Sequence, residues 1–322
     1  MTHLFKRSLI PILLLGLFIV IPMLLGSTLE ETSYTRDSKS GFIAPEVPQH
    51  FVFAGEKIDL SRADLHERMD REIISFCYMH TTSTLILKRA NRYFPQIEKI
   101  LKECGIPDDL KYLMVIESSL DTQAYSPAGA AGLWQFMKGT ARDFGLEVNA
   151  NIDERYHVEK STRAACQYLK GAYQKYQSWL TAAASYNAGQ GRISGELAKQ
   201  NVSHAADLWL VQETSRYMFR LMAVKMMMEN PQQFGFYLKP NQLYPAMDYK
   251  VVRVNTQIND LVAFAKQHQI SYAQLKEANP WLRGRFLENK SRRTYEVLIP
   301  TQQSLHYKPA QVRVHNPAWV VH

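Results

Sequence analysis

The 322-residue chain lacks the usual signatures of several function classes. It has ten histidines, but no His-Glu-x-x-His and no paired cysteine spacing, so no metal site is expected. There is no glycine-rich phosphate loop, and no cofactor is expected. No zinc-finger spacing or RNA-recognition segment accompanies the net charge of +8, so nucleic acid is not expected as a partner. Internal repeats and low-complexity blocks are absent. Cysteine is scarce: Cys77, Cys104 and Cys166 allow one disulfide and one free thiol in an exported protein. Each sits in an apolar helical context, so the simpler reading is three thiols packed as small hydrophobes.

What is present is ordinary in bulk: 46% hydrophobic and 21% charged residues, enough for two domains around one substantial core. The excess of positive charge favours an anionic partner, such as a membrane surface or an acidic polymer. Lys6 and Arg7 precede an apolar run from Leu9 to Leu25, broken by Pro11, Gly16 and Pro22. Residues 1–28 are therefore expected to be a signal peptide or membrane anchor, and the chain to be exported. Whether the segment is removed stays open. Residues 29–61 are polar and mixed and are expected to be linker.

From Arg62 to about Asn230 the periodicity is helical, with little strand signal. One or two helices are expected between Leu65 and Phe94, with an interruption at Pro95 and a further helix from Ile97 to Cys104. Gly105 and Pro107 form a stop and start, with Asp108 and Asp109 in the next first turn. Further helices are expected over 138–144, 158–176, 179–186, 192–199 and 212–228. Met218, Met222, Met226, Met227 and Met228 are expected to pack as a core stripe rather than form a binding face. After Pro240, residues 249–254 and 294–299 alternate as strands and flank two short helices, a small βααβ module. The expected domains are thus 62–240 and 245–301, with 302–322 an extended or disordered tail.

Glu117 is the residue of greatest chemical interest. It lies in Tyr112-Leu-Met-Val-Ile-Glu-Ser-Ser-Leu120 and shares a helical face with Ile106, Leu110, Leu113 and Met114. A carboxyl on an apolar stripe is desolvated, which raises its pKa. An acid still protonated near neutral pH can protonate the leaving oxygen of a glycosidic bond. Most glutamates at helix ends are instead solvated or ion-paired, so this segment alone does not decide the matter.

Four features follow in order: Glu117-Ser118; Ser126-Pro-Ala-Gly-Ala-Ala-Gly-Leu-Trp-Gln-Phe-Met137; Ala182-Ala-Ala-Ser-Tyr-Asn-Ala-Gly-Gln-Gly-Arg192; and Glu213-Thr-Ser-Arg-Tyr217. Together they resemble the family 1 lytic transglycosylases of bacterial cell walls, with their goose-lysozyme-like domain. The Gly-Leu-Trp-Gln-Phe-Met segment and the tail module look most like the membrane-bound lytic transglycosylase D group. Ser185 and Gln190 depart from the family pattern, which often has Ala and Pro there.

The resemblance implies a mainly α fold: a lysozyme-like all-helical catalytic domain followed by a βααβ LysM-like module. It implies cleavage of the β-1,4 bond from N-acetylmuramic acid to N-acetylglucosamine in peptidoglycan, leaving 1,6-anhydromuramoyl ends. Glu117 would act as acid and then base. Tyr217 would orient it, and Ser118 would stabilise the helix end. Ser126, Gln135, Met137, Tyr186 and Asn187 would contact substrate. For Ser126 the competing reading is a turn former before Pro127; for Trp134 core packing is expected. Asp121 is the nearest second carboxylate, in a polar turn where acids usually cap or face solvent. Asp143, Asp153 and Glu154 are expected at the surface or as caps.

The implied partners are peptidoglycan glycan strands and, through residues 1–28, the cell-envelope membrane; the implied location is the periplasm. The tail module resembles LysM domains in Asn279-Pro280-Trp281-Leu282 but lacks their usual Gly-Asp-Thr-Leu; it has Thr256-Gln-Ile-Asn-Asp-Leu261. Glycan binding and a spacer role both remain open for it. A hydrolytic muramidase, a non-catalytic peptidoglycan-binding protein and an assembly scaffold are the competing functions.

Overall fold

The computed structural model describes residues 43–290 and 292–321. The expected signal or anchor segment, and residues 29–42 of the expected linker, lie outside the described residues. Among the described residues no helix is long and apolar enough to cross a membrane.

Residues 50–59, expected to be linker, form a hairpin instead. Strands β1 (His50–Phe53) and β2 (Glu56–Asp59) pair antiparallel, with Phe53 opposite Glu56. The two-residue turn is Ala54-Gly55, both at positive φ, as a tight hairpin requires. Phe51, Phe53, Ile58 and Leu60 enter the main core. Alternation over four residues per strand is too short a signal to stand out in a polar segment.

Among the described residues ten α-helices follow the hairpin. The first two are α1 (Ala63–Tyr78) and α2 (His80–Glu103). Pro95 was expected to break the chain here, yet it lies inside α2. Its missing N–H and ring clash cost roughly 3 kcal/mol in an isolated helix. Buried Phe94, Ile97, Ile100 and Leu101 hold the helix on either side against the core. Next come α3 (Lys111–Ser118), α4 (Lys138–Asp143), α5 (Val158–Tyr176), α6 (Trp179–Ala188), α7 (Gln190–Gln200) and α8 (Gln212–Glu229). Helix α8 packs on α1, α3 and α6, burying Met218, Met222, Met227 and Met228 as core.

The βααβ module comprises β3 (Tyr249–Val254), α9 (Leu261–Gln267), α10 (Tyr272–Ala278) and β4 (Tyr295–Pro300), with β3 and β4 antiparallel. It has a separate apolar core, which also takes in Ala131, Ile152 and Tyr156. The mainly α architecture with a small strand-containing module is as expected. The segment after 302 is not loose: Trp319 is buried, donates its indole N–H to the Met228 carbonyl at 2.8 Å and meets Phe94 edge to face. Val320 is buried beside it and bridges in parallel to Leu238, so ring and backbone dock the tail together.

The three cysteines are free thiols, Cys77 and Cys166 buried and Cys104 half-buried. Burial pushes the Cys77 thiol up to about 11.

Candidate active site

Leu113, Met114 and Val115 press α3 into the core. Glu117, on the last turn, is carried to the edge of that core and is only partly accessible. Tyr217 of α8 donates its hydroxyl to Glu117 Oε1 at 2.7 Å. Burial raises the carboxyl to about 7; the Tyr217 hydrogen bond and the Arg220 charge oppose this, and Glu213 adds to it. The same burial, with the Glu117 charge close by, lifts the Tyr217 and Tyr186 phenols well above their ordinary value. Glu117, Tyr186 and Tyr217 therefore form one electrostatic group.

Helix α3 ends with Ser119 and Leu120 both left-handed. Ser118 Oγ bonds back to the Met114 carbonyl at 2.9 Å. Arg89 donates to the Ser119 carbonyl (3.0 Å) and to Asp121 (3.2 Å), so Asp121 serves as that guanidinium's counter-ion.

Loop 126–137 is held by its own backbone. Ser126 N–H donates to the Ala130 carbonyl, Gly132 N–H to the Ala124 carbonyl, and Ala131 N–H to the Phe136 carbonyl. Ser126 Oγ accepts from the Ala130 N–H at 3.0 Å, a turn-forming bond. Gln135 is left-handed, and its side-chain nitrogen donates to Gly132 and Ala124 carbonyls at 2.8 and 3.2 Å. That nitrogen is thus committed to the loop, where the sequence suggested substrate. Gly132 (φ +75°) fits for two reasons: only glycine takes that conformation cheaply, and a Cβ would overlap the Arg155 carbonyl. Met137 stands 47% exposed at the start of α4.

Tyr186 joins the two groups. Its hydroxyl donates to the Trp134 carbonyl at 2.7 Å, and its ring meets Trp134, Phe136 and Tyr168 edge-on. Asn187 follows it, half-buried, one residue before α6 ends. Trp134 is fully buried and bonds Thr162 Oγ1, in keeping with the expected core role.

The burial of three residues here was not foreseen. Asp153 and Glu154, expected at the surface or as caps, are buried. Asp153 does cap, accepting from the Arg155 N–H, but its carboxylate also grips the Arg155 guanidinium; Glu154 pairs with Lys160. Arg155 is itself buried and donates onward to Gly129 and Phe136 carbonyls at 2.7 and 3.0 Å. No periodic signal marks an arginine in so polar a run. Trp209, exposed between buried Leu208 and Leu210, is marked in the sequence only as a lone Trp between two leucines.

Among the described residues no group of His, Cys, Asp or Glu could hold a metal ion. A recess of about 390 Å³ between α1 and α8 is lined by Glu213 and Arg220, which both act on Glu117. A larger recess, about 860 Å³, is lined mainly by residues between 303 and 315 and does not include Glu117.

Residues 96–209 match the family model for the transglycosylase SLT domain. That span holds Glu117, loop 126–137 and Tyr186, while Tyr217 falls beyond it. Residues 250–303 match the soluble lytic transglycosylase C-terminal LysM-like domain. The chain therefore carries a transglycosylase SLT domain followed by a LysM-like domain. Over 271 residues it is 27% identical to membrane-bound lytic murein transglycosylase D of Escherichia coli K12, covering 80% of this chain and 58% of that protein. The chain thus spans less than two thirds of that relative's length. It is 36% identical to peptidoglycan transglycosylase gp16 of Escherichia phage T7, over 27% of this chain and 7% of that one. The 70 kDa soluble lytic transglycosylase of Escherichia coli aligns with a TM-score of 0.36 and 24% identity, over 41% of this chain and 23% of that one.

Proposed function

We propose that this chain is a peptidoglycan lytic transglycosylase cleaving the β-1,4 bond between N-acetylmuramic acid and N-acetylglucosamine. Glu117 first gives its proton to the leaving glycosidic oxygen as the C1–O bond breaks. The substrate's own N-acetyl oxygen stabilises the positive charge at C1. The Glu117 carboxylate then takes the proton from the 6-hydroxyl, and that oxygen closes on C1 to give the 1,6-anhydro end. No water enters, and Glu117 returns to its starting state.

The observation that carries this reading is the Glu117 carboxyl, raised to about 7 by burial and held by Tyr217. Such a group is available both as acid and as base at neutral pH. The SLT and LysM-like domain matches support peptidoglycan as the polymer. Ser126, Gln135, Met137, Tyr186 and Asn187 are proposed to line the glycan site, with Ser118 stabilising the end of α3. The cell envelope is the proposed location, in line with the membrane-bound relative.

A hydrolytic muramidase would need a second carboxylate to position water. The engagement of Asp121 with Arg89 speaks against that role for it. Mass spectrometry of sugars released from purified peptidoglycan tests the proposal. Products about 18 mass units lighter than hydrolysis products (one water) are expected. Ordinary reducing ends would make the chain a muramidase, and binding without release would make it a non-catalytic wall protein.

A further inference from the structure

The LysM-like module is fastened to the strap 147–156, which in turn holds loop 126–137. On the module side, Ile152 pairs with Leu282 in an antiparallel bridge. Asp153 N–H donates to Trp281 and Arg283 N–H to Asn151. The Asn151 side chain donates to the Phe286 carbonyl at 2.6 Å and accepts from the Glu288 N–H at 2.8 Å. Glu147 accepts from the Tyr295 hydroxyl at 2.9 Å and pairs with Arg293. The Arg283 guanidinium lies 4.4 Å from the Tyr156 ring centre. Ala131, four residues before Gln135, is buried in the module's own core with Ile152, Tyr156 and Leu282.

On the loop side, Arg155 donates to two loop carbonyls, and its other nitrogens grip Asp153. A buried guanidinium is tolerated only when its donors are satisfied in this way. The loop needs such bracing because Gln135, a non-glycine residue, is left-handed, a conformation that surrounding contacts must over-determine.

We propose that the LysM-like module is a fixed outer wall of the active site, with Arg155 the positioning residue that couples it to loop 126–137. The importance of that loop rests on the proposed function, so the test has one arm that does not involve activity. In the full chain, Asn151→Ala removes two bonds into the module, and Arg155→Lys keeps the charge but loses the fork. Hydrogen exchange is followed at the Ser126, Gly129, Ala131 and Gly132 amides, with turnover measured in parallel. Exchange about tenfold faster at these amides is expected in both variants, with kcat down about tenfold and KM nearly unchanged. The β3–β4 amides should keep their wild-type protection. If Asn151→Ala loosens the module as well, Arg155→Lys decides, because its hydrogen bonds run to Asp153 and the loop. Loop exchange and kcat both within about twofold of wild type would reduce the module to a passenger. A wild-type chain that cleaves no glycan would refute the proposed function, and the exchange arm would still decide the coupling.

A separate observation concerns Trp209. Its indole is 78% exposed, while Leu208 and Leu210 beside it are buried. Its backbone is fixed: Gln200 accepts from the Trp209 N–H at 2.8 Å and donates to its carbonyl at 2.9 Å, with Glu196 holding Gln200 in turn. Three residues on, α8 begins with Gln212 and Glu213, and the latter's charge reaches Glu117. A large indole open to water on a fixed backbone suits a sugar face, because only its two side-chain torsions have to be ordered on stacking.

We infer that Trp209 is a stacking platform for a sugar ring of the glycan strand outside the cleavage site, again resting on the proposed function. Tryptophan fluorescence titrated with a β-1,4-linked N-acetylglucosamine oligomer tests it, since Trp134, Trp281 and Trp319 are buried and the half-buried Trp179 is already stacked on Tyr173. A saturable change in wild type, lost in Trp209→Ala and restored in Trp209→Tyr, is expected, with KM on peptidoglycan raised about fivefold to tenfold in the Ala variant. No response in wild type, or an unchanged response and KM in Trp209→Ala, would overturn the platform whatever the chain's activity.

Discussion

Glu117→Gln separates burial of the acid from its chemistry. Moving a carboxyl from about 4.5 to about 7 penalises its ionised form by about 3 kcal/mol. Glu117 remains partly open to solvent, so a discounted penalty of about 1–3 kcal/mol is the working figure. The sign follows from which state holds the proton. Below pH 4.5 the carboxyl is protonated in the folded and unfolded chain alike, and nothing is lost. As pH rises from about 4.5 to about 7, the unfolded chain ionises while the folded chain still holds its proton, and stability drains away. Above 7 the whole penalty is present. Glutamine keeps the shape and can still accept from Tyr217, but carries no charge. Urea denaturation of both proteins between pH 4 and pH 8 is the assay. The variant's advantage should grow across that window and reach about 1–3 kcal/mol at pH 8. Turnover should vanish in the variant, and wild-type turnover should fall as pH rises through 7. A stability difference that is flat with pH, or a variant less stable than wild type at pH 8, would refute the assigned burial.

Three further substitutions probe the surroundings. Tyr217→Phe removes the donor that pulls the Glu117 carboxyl down, so the alkaline limb of the pH–rate profile should move to higher pH while kcat drops about tenfold. Asp121→Asn should leave turnover within about threefold and cost under about 1 kcal/mol, as for a partly exposed ion pair; a loss of a hundredfold or more in steady-state rate would restore the two-carboxylate muramidase. Gly132→Ala should lower stability by about 3 kcal/mol or more, since it combines an unfavourable φ with an overlap on the Arg155 carbonyl, and calorimetry would show it as a drop in Tm.

The helices and the half-buried position of Glu117 were legible because both rest on one period. Leu110, Leu113, Met114 and Glu117 at helical spacing announce a carboxyl at the edge of a core, and the buried stripe of α3 is that core. The hairpin was not legible, because Phe51, Phe53 and Ile58 are few, and their burial depends on helices distant in sequence. Local pattern also misjudged Pro95, where packing on both sides outweighs the lost hydrogen bond. Arg155 is the clearest case of hidden information. Its meaning lies in two carbonyls about twenty residues away, and backbone acceptors leave no mark on the amino-acid sequence. The committed donor of Gln135 was hidden for the same reason.

A single carboxyl that first gives and then takes a proton faces opposing demands. Full burial in an apolar wall would hold it protonated and make it a poor base. A solvated position would leave it ionised near 4.5 and make it a poor acid. The surroundings of Glu117 set one influence against another: the apolar wall and Glu213 push up, while Tyr217 and Arg220 pull down, and the balance falls at about 7. At neutral pH about half the molecules then carry the proton, so neither step must wait for a rare state. The poise depends on Tyr217 keeping its place on α8, and the facing surface on Tyr186 keeping its bond to Trp134. A glycan laid against that surface would displace solvent from the carboxyl and raise it further, favouring the acid form as the bond breaks. The departing oxygen then leaves a charged carboxylate beside the 6-hydroxyl, with little water to compete for C1. In this proposed chemistry the same exclusion of water that tunes the acid also selects ring closure over hydrolysis.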